Sequence, residues 1–188
     1  MLAEQLKKDT LQSHQQLEKM LVGRMKAIRS KEDYVKLLQL FYTYFGGLEM
    51  LIDRYIGQSE LSDYTERRKT QALANDIEAL GGKPLPKAND ENLPQIQSLL
   101  QAYAALYVIE GSTLGGKIIS KMMAQQLSIN NGDGLSFFNG YGDNTENKWT
   151  DFKNVLNKLT KSSEEDKIVI DSANETFDKF GRWALNNA

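Results

Sequence analysis

Hydrophobic residues recur along this chain at intervals of three and four, which is the spacing of one face of an α-helix. The pattern predicts a first helix over residues 2–22 and a second from Ser30 to about Tyr55. Ser30 and Asp33 have the spacing of a capping box, which favours a helix start at that point. The same spacing predicts further helices over residues 63–80, 94–128, 145–159 and 162–183.

Polar and glycine-containing segments separate these helices, and alternating β-branched runs are almost absent. Predicted connections fall at residues 23–29, 57–62, 83–92 and 130–134. We therefore expect an all-α fold, with residues 1–188 forming a single domain that is a bundle of roughly six to eight helices.

The predicted helix over residues 94–128 has an unusual middle. Gly111, Gly115 and Gly116 occur within six residues, together with Ser112. Each glycine inside a helix costs roughly 0.5–1 kcal/mol relative to alanine, so an ordinary amphipathic helix would not be expected to carry three. A tight helix crossing or kink explains the pattern, and so does close approach of the backbone to a flat ligand.

His14 is the only histidine of the chain. It lies four residues after Thr10 and three before Leu17 on the apolar stripe of the first helix, so we expect it to face inward. One interpretation is a core histidine that hydrogen-bonds to a carbonyl or hydroxyl. The other is a ligand of a metal or heme iron, with Thr10 and Glu18 orienting its second ring nitrogen.

Composition narrows the possible functions. The formal net charge is -2 and the pI about 5.6, so the basic excess typical of nucleic-acid binders is absent. The absence of cysteine excludes disulfides, Cys-ligated zinc, iron–sulfur clusters, thiol nucleophiles and covalent c-type heme. A charged N-terminal segment and the lack of an apolar run of transmembrane length predict a cytoplasmic protein without a membrane segment.

Sequence motifs exclude several enzyme classes. The chain has no Gly-x-Ser-x-Gly elbow, phosphate loop, Rossmann glycine run or Glu-x-x-His di-iron motif. What remains is one inward histidine, a glycine-rich helix elsewhere and many aromatic residues. That combination suits a flat apolar cofactor between two helices, with an axial ligand on one side and little bulk on the other.

Three segments of the chain resemble the heme oxygenases. Residues 7–18, with Thr10 four positions before His14, look like the proximal helix of that family. Residues 106–116 resemble the distal helix of its bacterial, biliverdin-producing members, and the aromatic residues of 137–152 are similar to the bacterial pattern. The match follows the same order over nearly the whole chain.

The resemblance implies an all-α fold that holds heme as a substrate between the first helix and the glycine-rich helix, with His14 as the proximal iron ligand. In this family, oxygen activated on the iron attacks a meso carbon of the porphyrin, giving biliverdin, carbon monoxide and ferrous iron. The implied partners are O2 and an external electron donor, which would be a ferredoxin, a flavodoxin or an NADPH-dependent reductase.

The resemblance also implies roles for individual residues. The backbone at Gly111, Gly115 and Gly116 would lie against the macrocycle. Three lysines are candidate partners of the anionic propionates, although each also fits an ordinary solvated side chain; they are Lys7, Lys117 and Lys153.

One position departs from the mammalian-type pattern. Ser112 stands where those members carry a distal Asp that organises the proton-delivering water, so we expect ordered water, supported by Ser112, to take this role. A heme-binding carrier or sensor on the same fold is the alternative function. A thiaminase-like enzyme would need a cysteine nucleophile, which this chain lacks.

Overall fold

Eight α-helices and two short 3-10 helices form residues 1–187, the part of the chain that the computed structural model describes. The α-helices are α1 (Leu2–Asp9), α2 (Leu11–Ala27), α3 (Lys31–Ile52), α4 (Gln71–Ala79), α5 (Leu99–Gln126), α6 (Ser136–Asn139), α7 (Thr145–Leu159) and α8 (Ser163–Asn186). The 3-10 helices are Tyr64–Glu66 and Gly142–Asn144. These residues contain no β-strand, which confirms the all-α prediction.

Local capping signals set the starts of two helices as predicted. At the start of α3, the Asp33 amide donates to Ser30 Oγ (3.1 Å) and the Ser30 amide donates to Asp33 Oδ2 (3.2 Å). At the start of α8, the Glu165 amide donates to Ser162 Oγ (3.2 Å). Both caps satisfy backbone groups that a helix start leaves without partners.

The predicted bounds of the first helix, residues 2–22, were wrong. The chain breaks at Thr10, where φ is -101° and ψ is 0°, and α2 then continues through the predicted connection as far as Ala27. The Thr10 hydroxyl donates to the Leu6 carbonyl (2.7 Å), so this side chain stabilises the end of α1.

The helix predicted over residues 63–80 is also interrupted. A 3-10 helix ends at Glu66 and α4 begins at Gln71. Between them, Arg67 and Arg68 turn into the protein, where their guanidinium groups hydrogen-bond to side-chain and main-chain oxygens. Those long-range bonds replace the local bonds of a continuous helix. The bounds of α5 also differ from the prediction. This helix begins at Leu99 instead of residue 94, and Ser98 caps its start.

Helix α5 runs through the centre of the bundle. Every residue from Ala102 to Glu110 is buried, and α8 packs along both α5 and α2. Aromatic rings from α3 and α8 fill the space beside it, with the rings of Tyr44 and Phe180 stacked at 4.6 Å. The Tyr44 hydroxyl donates to the Thr176 carbonyl (2.7 Å), so its polar end is satisfied in the core. Within residues 1–187, no helix is long and apolar enough to cross a membrane.

The short helix α6 packs against the glycine-rich part of α5. A Cβ added at Gly116 would overlap the Phe138 carbonyl, so only glycine allows this backbone contact. The buried Asp76 carboxylate holds α6 in place by accepting bonds from the Ser136 amide (3.1 Å), the Ser136 hydroxyl (2.7 Å) and the Phe137 amide (2.8 Å). The tight-crossing explanation of the glycines therefore applies to Gly116.

Candidate functional site

Helices α2 and α5 are joined near both ends, start to start and end to end, but do not pack closely along their length. Near their starts, the Tyr107 hydroxyl lies against the Thr10 side chain. Burial raises the pKa of Tyr107, and the contact with Thr10 partly offsets that rise. Near their ends, Gln126 Nε2 donates to the carbonyls of Met25 (3.2 Å) and Ile28. The space between these two junctions is called the slot below.

The numbering of the two helices places His14 level with the glycines. His14 comes four residues after Thr10, as Gly111 comes four after Tyr107. His14 also comes eleven residues before Met25, as Gly115 comes eleven before Gln126. Eleven residues make about three helical turns, so each pair shares one helix face. This register places His14 level with the stretch from Gly111 to Gly115 on α5.

The prediction that His14 faces the core was wrong, because its side chain is exposed whereas Leu17 and Leu21 are buried. Its ring meets the edge of Phe177 at a centroid distance of 5.5 Å, and no hydrogen bond to the imidazole occurs within residues 1–187. This part of α2 borders the slot instead of a packed neighbour, which leaves the ring nitrogens open to a ligand.

The slot has apolar walls that the protein does not cover. On α5, Leu114 is 40% exposed and Ile118 is 74% exposed, and on α2 Leu11 is 47% exposed. A Cβ added at Gly115 would meet nothing within 4 Å. Exposed apolar groups on both helices, together with open space at Gly115, fit a flat apolar molecule.

The three glycines of α5 have different surroundings. Gly115 opens into the slot, whereas a Cβ at Gly111 would make an ordinary contact of 3.7 Å with the Trp149 indole. Gly116 is buried against Phe138, about 100° around the helix from Gly115. The expectation that Gly116 lies against a macrocycle is therefore corrected, because its backbone packs on α6.

The Ser112 hydroxyl both donates and accepts a hydrogen bond within the protein. Its Oγ donates to the Ile109 carbonyl (2.6 Å) and accepts from Nη2 of Arg68 (2.6 Å). The serine proton is thus directed at the helix backbone and not at the slot.

Arg68 is a buried charged residue at the candidate site that the sequence pattern did not single out. Its buried guanidinium donates to the Ile109 carbonyl (2.8 Å) and the Phe137 carbonyl (3.1 Å), and it lies 3.8 Å from the centroid of the Phe137 ring. These hydrogen-bond partners carry no full charge, and burial lowers the pKa of Arg68 to about 10, although the nearby Glu110 carboxylate works against that shift. The result is a buried cation behind the stretch that lies level with His14.

A buried carboxylate fixes the turn of α5 that precedes Gly111. Glu110 accepts from Nη1 of Arg67 (2.8 Å) and from the Tyr141 hydroxyl (2.9 and 3.0 Å). Tyr141 in turn accepts from the Arg68 amide (2.8 Å). Glu110 is 1% exposed, so it belongs to the interior and helps to hold α5 in position.

Comparison with known proteins identifies the family. The family model for heme oxygenase matches residues 1–186. The chain belongs to the heme oxygenase family. It is similar to the heme oxygenase PigA of Pseudomonas aeruginosa, with 24% identity over 172 residues that cover 92% of this chain and 85% of PigA.

Solved heme oxygenase structures share the fold. The heme oxygenase of Neisseria meningitidis, solved in NO- and CO-bound forms, superposes with a TM-score of 0.83 at 24% identity, covering 100% of this chain and 92% of that one. The heme oxygenase of Leptospira interrogans gives a TM-score of 0.75 at 19% identity, covering 98% of each chain. The fold expected from the resemblance is thereby confirmed.

In this heme oxygenase family member, two of the three candidate lysines lie near the Thr10 end of the slot. Lys7 is exposed in the last turn of α1, one turn before Thr10. Nζ of Lys153 lies 6.0 Å from the Trp149 ring, which in turn lies 5.5 Å from the ring of Tyr107. Lys117 is exposed and pairs with Asp143 (3.2 Å), so its charge already has a partner.

The side chains expected to orient His14 in this family member make other contacts. The Thr10 hydroxyl donates its proton to the Leu6 carbonyl. The expectation that Thr10 orients the second ring nitrogen of His14 is therefore corrected. Glu18 is exposed, and the described residues show no hydrogen bond between it and His14. The Phe177 ring edge is the contact that positions the imidazole from α8.

Proposed function

We propose that this chain is an oxidoreductase that cleaves heme to biliverdin, carbon monoxide and ferrous iron, using O2 and electrons from an external reductase. The observation that carries the proposal is the exposed His14, level with Gly111–Gly115, beside a slot that exposed apolar side chains and open space at Gly115 border. Membership of the heme oxygenase family supports it.

The two walls of the slot have complementary tasks. The exposed His14 imidazole would hold the iron of heme, since histidine nitrogen is a common ligand of heme iron. Gly115 presents no side chain, so the α5 wall would leave room for a small molecule such as O2 beside bound heme. Bound heme then supplies the iron that activates O2 against a meso carbon of its own porphyrin.

Proton delivery is assigned to ordered water because the Ser112 proton is committed to the Ile109 carbonyl. Arg68 fixes the Ser112 oxygen and places positive charge behind this wall. A fixed positive charge in a low-dielectric surrounding favours negative charge that develops in the slot during oxygen activation.

The propionates would lie at the Thr10 end of the slot, close to Lys7 and Lys153. Lys7 lies one helical turn before Thr10 and the Lys153 amino group lies beside Trp149, whereas Lys117 is exposed and paired with Asp143. Carboxylates pair favourably with ammonium groups, and this sets the orientation of the macrocycle. The electron donor, whether ferredoxin, flavodoxin or NADPH-dependent reductase, and a cytoplasmic location stay predictions.

The test is a hemin titration followed by reductant under air, monitored by absorbance. We expect a Soret band at one-to-one stoichiometry that declines as the biliverdin band grows. His14→Ala should lose the iron ligand and most turnover, whereas Gln15→Ala, an exposed neighbour on the same helix, should resemble the parent chain. A Soret band that persists in the parent would identify a carrier or sensor, and no Soret band would refute the heme site.

A further inference from the structure

We propose that Gln126 is a latch that controls how fast heme and its cleavage product leave the slot. Its side-chain amide ties the end of α5 to the end of α2 by donating to the carbonyls of Met25 (3.2 Å) and Ile28. The inference rests on the proposed function, because it takes the slot to be the place where heme binds.

The end of α2 does not need Gln126 as a cap. The last carbonyls of a helix lack partners within the helix. Here the Ile28 amide donates to the Met25 carbonyl (3.3 Å), and Nη1 of Arg29 donates to the carbonyls of Lys26 (2.6 Å) and Ile28 (2.8 Å). Since these groups have other donors, the bonds from Gln126 add a link between two helices.

The two halves of α5 are held unequally. All residues from Ala102 to Glu110 are buried, but between Lys117 and Gln126 only Ser120 and Met123 are. The glycine-rich turn lies between the halves, where bending is easiest. Segments with few buried contacts open at the lowest free energy, so the second half of α5 is the wall of the slot that can move.

Gln126 is placed to control that movement. Gln126 lies three helical turns after Gly115, on the same side of α5. Its hydrogen bond reaches the carbonyl of Met25, which lies three turns after His14 on α2. The junction between Thr10 and Tyr107 closes the other end of the slot, in the buried half of α5. Breaking the Gln126 bonds therefore widens the slot from its less buried end.

The experiment compares variants that differ in hydrogen-bond donors. Gln126→Glu keeps the side-chain length, removes both donors and adds negative charge at the negative end of the α2 dipole. Gln126→Lys keeps a donor, and Gln126→Ala removes the bonds without adding charge. Gln125→Glu is the matched control, because it adds the same charge at an exposed neighbour that makes no side-chain hydrogen bond within residues 1–187.

Each variant is loaded with hemin, and transfer to apomyoglobin is followed by stopped-flow absorbance. Loss of a hydrogen-bonded link should speed transfer by about tenfold for Gln126→Glu and Gln126→Ala. Gln126→Lys and Gln125→Glu should stay close to the parent rate. Under multiple turnover, biliverdin release should accelerate in the same two variants while the single-turnover rate of cleavage stays unchanged.

Equal transfer rates for the parent, Gln126→Glu and Gln126→Ala would contradict the proposal that the Gln126 hydrogen bonds control heme release. Equal acceleration by Gln125→Glu would do so too, because added charge would then be the cause. Failure of the proposed function is a separate result, since it appears in the parent chain as the absence of a Soret band or of turnover. Circular dichroism of each variant checks that α2 and α5 remain folded.

Discussion

At the scale of single residues, the pairing of Ser112 with Arg68 decides what the α5 wall of the slot can do. A serine whose proton points at its own helix carbonyl cannot donate that proton to a ligand at the same time. Arg68 is buried with neutral hydrogen-bond partners, and the Glu110 carboxylate nearby compensates part of the cost of its charge. Arg68 is therefore the residue that we expect to matter more for turnover.

Replacement of each residue separates their roles. Ser112→Ala should cost about 1 kcal/mol of unfolding free energy, the net value of a typical hydrogen bond, and should leave biliverdin formation nearly unchanged. Arg68→Met should slow single-turnover cleavage by about tenfold, less than the loss of a donor in direct contact with the reacting atoms. Single-turnover absorbance on hemin-loaded protein measures both rates, and the Soret intensity controls for binding. A loss in Ser112→Ala as large as in Arg68→Met would contradict this assignment.

At the scale of elements, α5 uses neighbouring glycines for different purposes. Gly116 allows contact between the backbones of α5 and α6, whereas Gly115 keeps the slot free of a side chain. A helix pays a conformational cost for each glycine, so Gly115 reduces the stability of the ligand-free chain in favour of binding.

Alanine at the two positions should have opposite effects on stability. Gly115→Ala has open space for its Cβ and should stabilise the ligand-free chain by about 0.5–1 kcal/mol, while weakening hemin binding. Gly116→Ala forces Phe138 away and should destabilise the chain by about 1–3 kcal/mol. Urea unfolding and hemin titration measure the two quantities. Unchanged hemin affinity in Gly115→Ala would show that this glycine does not border the ligand.

At the scale of the whole molecule, a network of charges joins three elements around α5. Asp63, beside the first 3-10 helix, pairs with Arg67 (3.0 Å) and with Lys148 of α7 (2.8 Å). Arg67 continues the network to Glu110 of α5 (2.8 Å). Burial raises the pKa of Asp63, but hydrogen bonds from Lys148 and Arg67 outweigh it and hold the pKa below the ordinary value of 3.8.

This network makes stability depend on acid pH. Folding favours the Asp63 carboxylate, so its contribution is complete above pH 3.8 and disappears as the pH falls through the lowered pKa. Asp63→Asn should be less stable than the parent at neutral pH, and the difference should shrink in acid. Urea unfolding between about pH 6 and about pH 2 tests this, since the range must extend well below the ordinary carboxylate pKa. Asp151→Asn, an exposed change on α7, is the control. A difference that is constant with pH would contradict the role of the Asp63 charge.

The sequence by itself determined what depends on neighbouring residues along the chain. Apolar spacing decided the helical class, and the Ser30 and Ser162 caps set two helix starts through bonds that span three residues. The segments around His14 and Gly111–Gly116 carried the family resemblance before any contact was known.

Only the tertiary structure decided which helix faces stay uncovered and which distant groups meet. Periodicity assigned His14 to the apolar face of its helix, but that turn borders a slot and not a packed neighbour, so the imidazole is exposed. Gly115 and Gly116 are adjacent in sequence, and only the packing of α6 distinguishes them. Arg68 reaches Ser112 across 44 positions of the chain, and no local pattern encodes such a bond because it depends on how separate elements fold together.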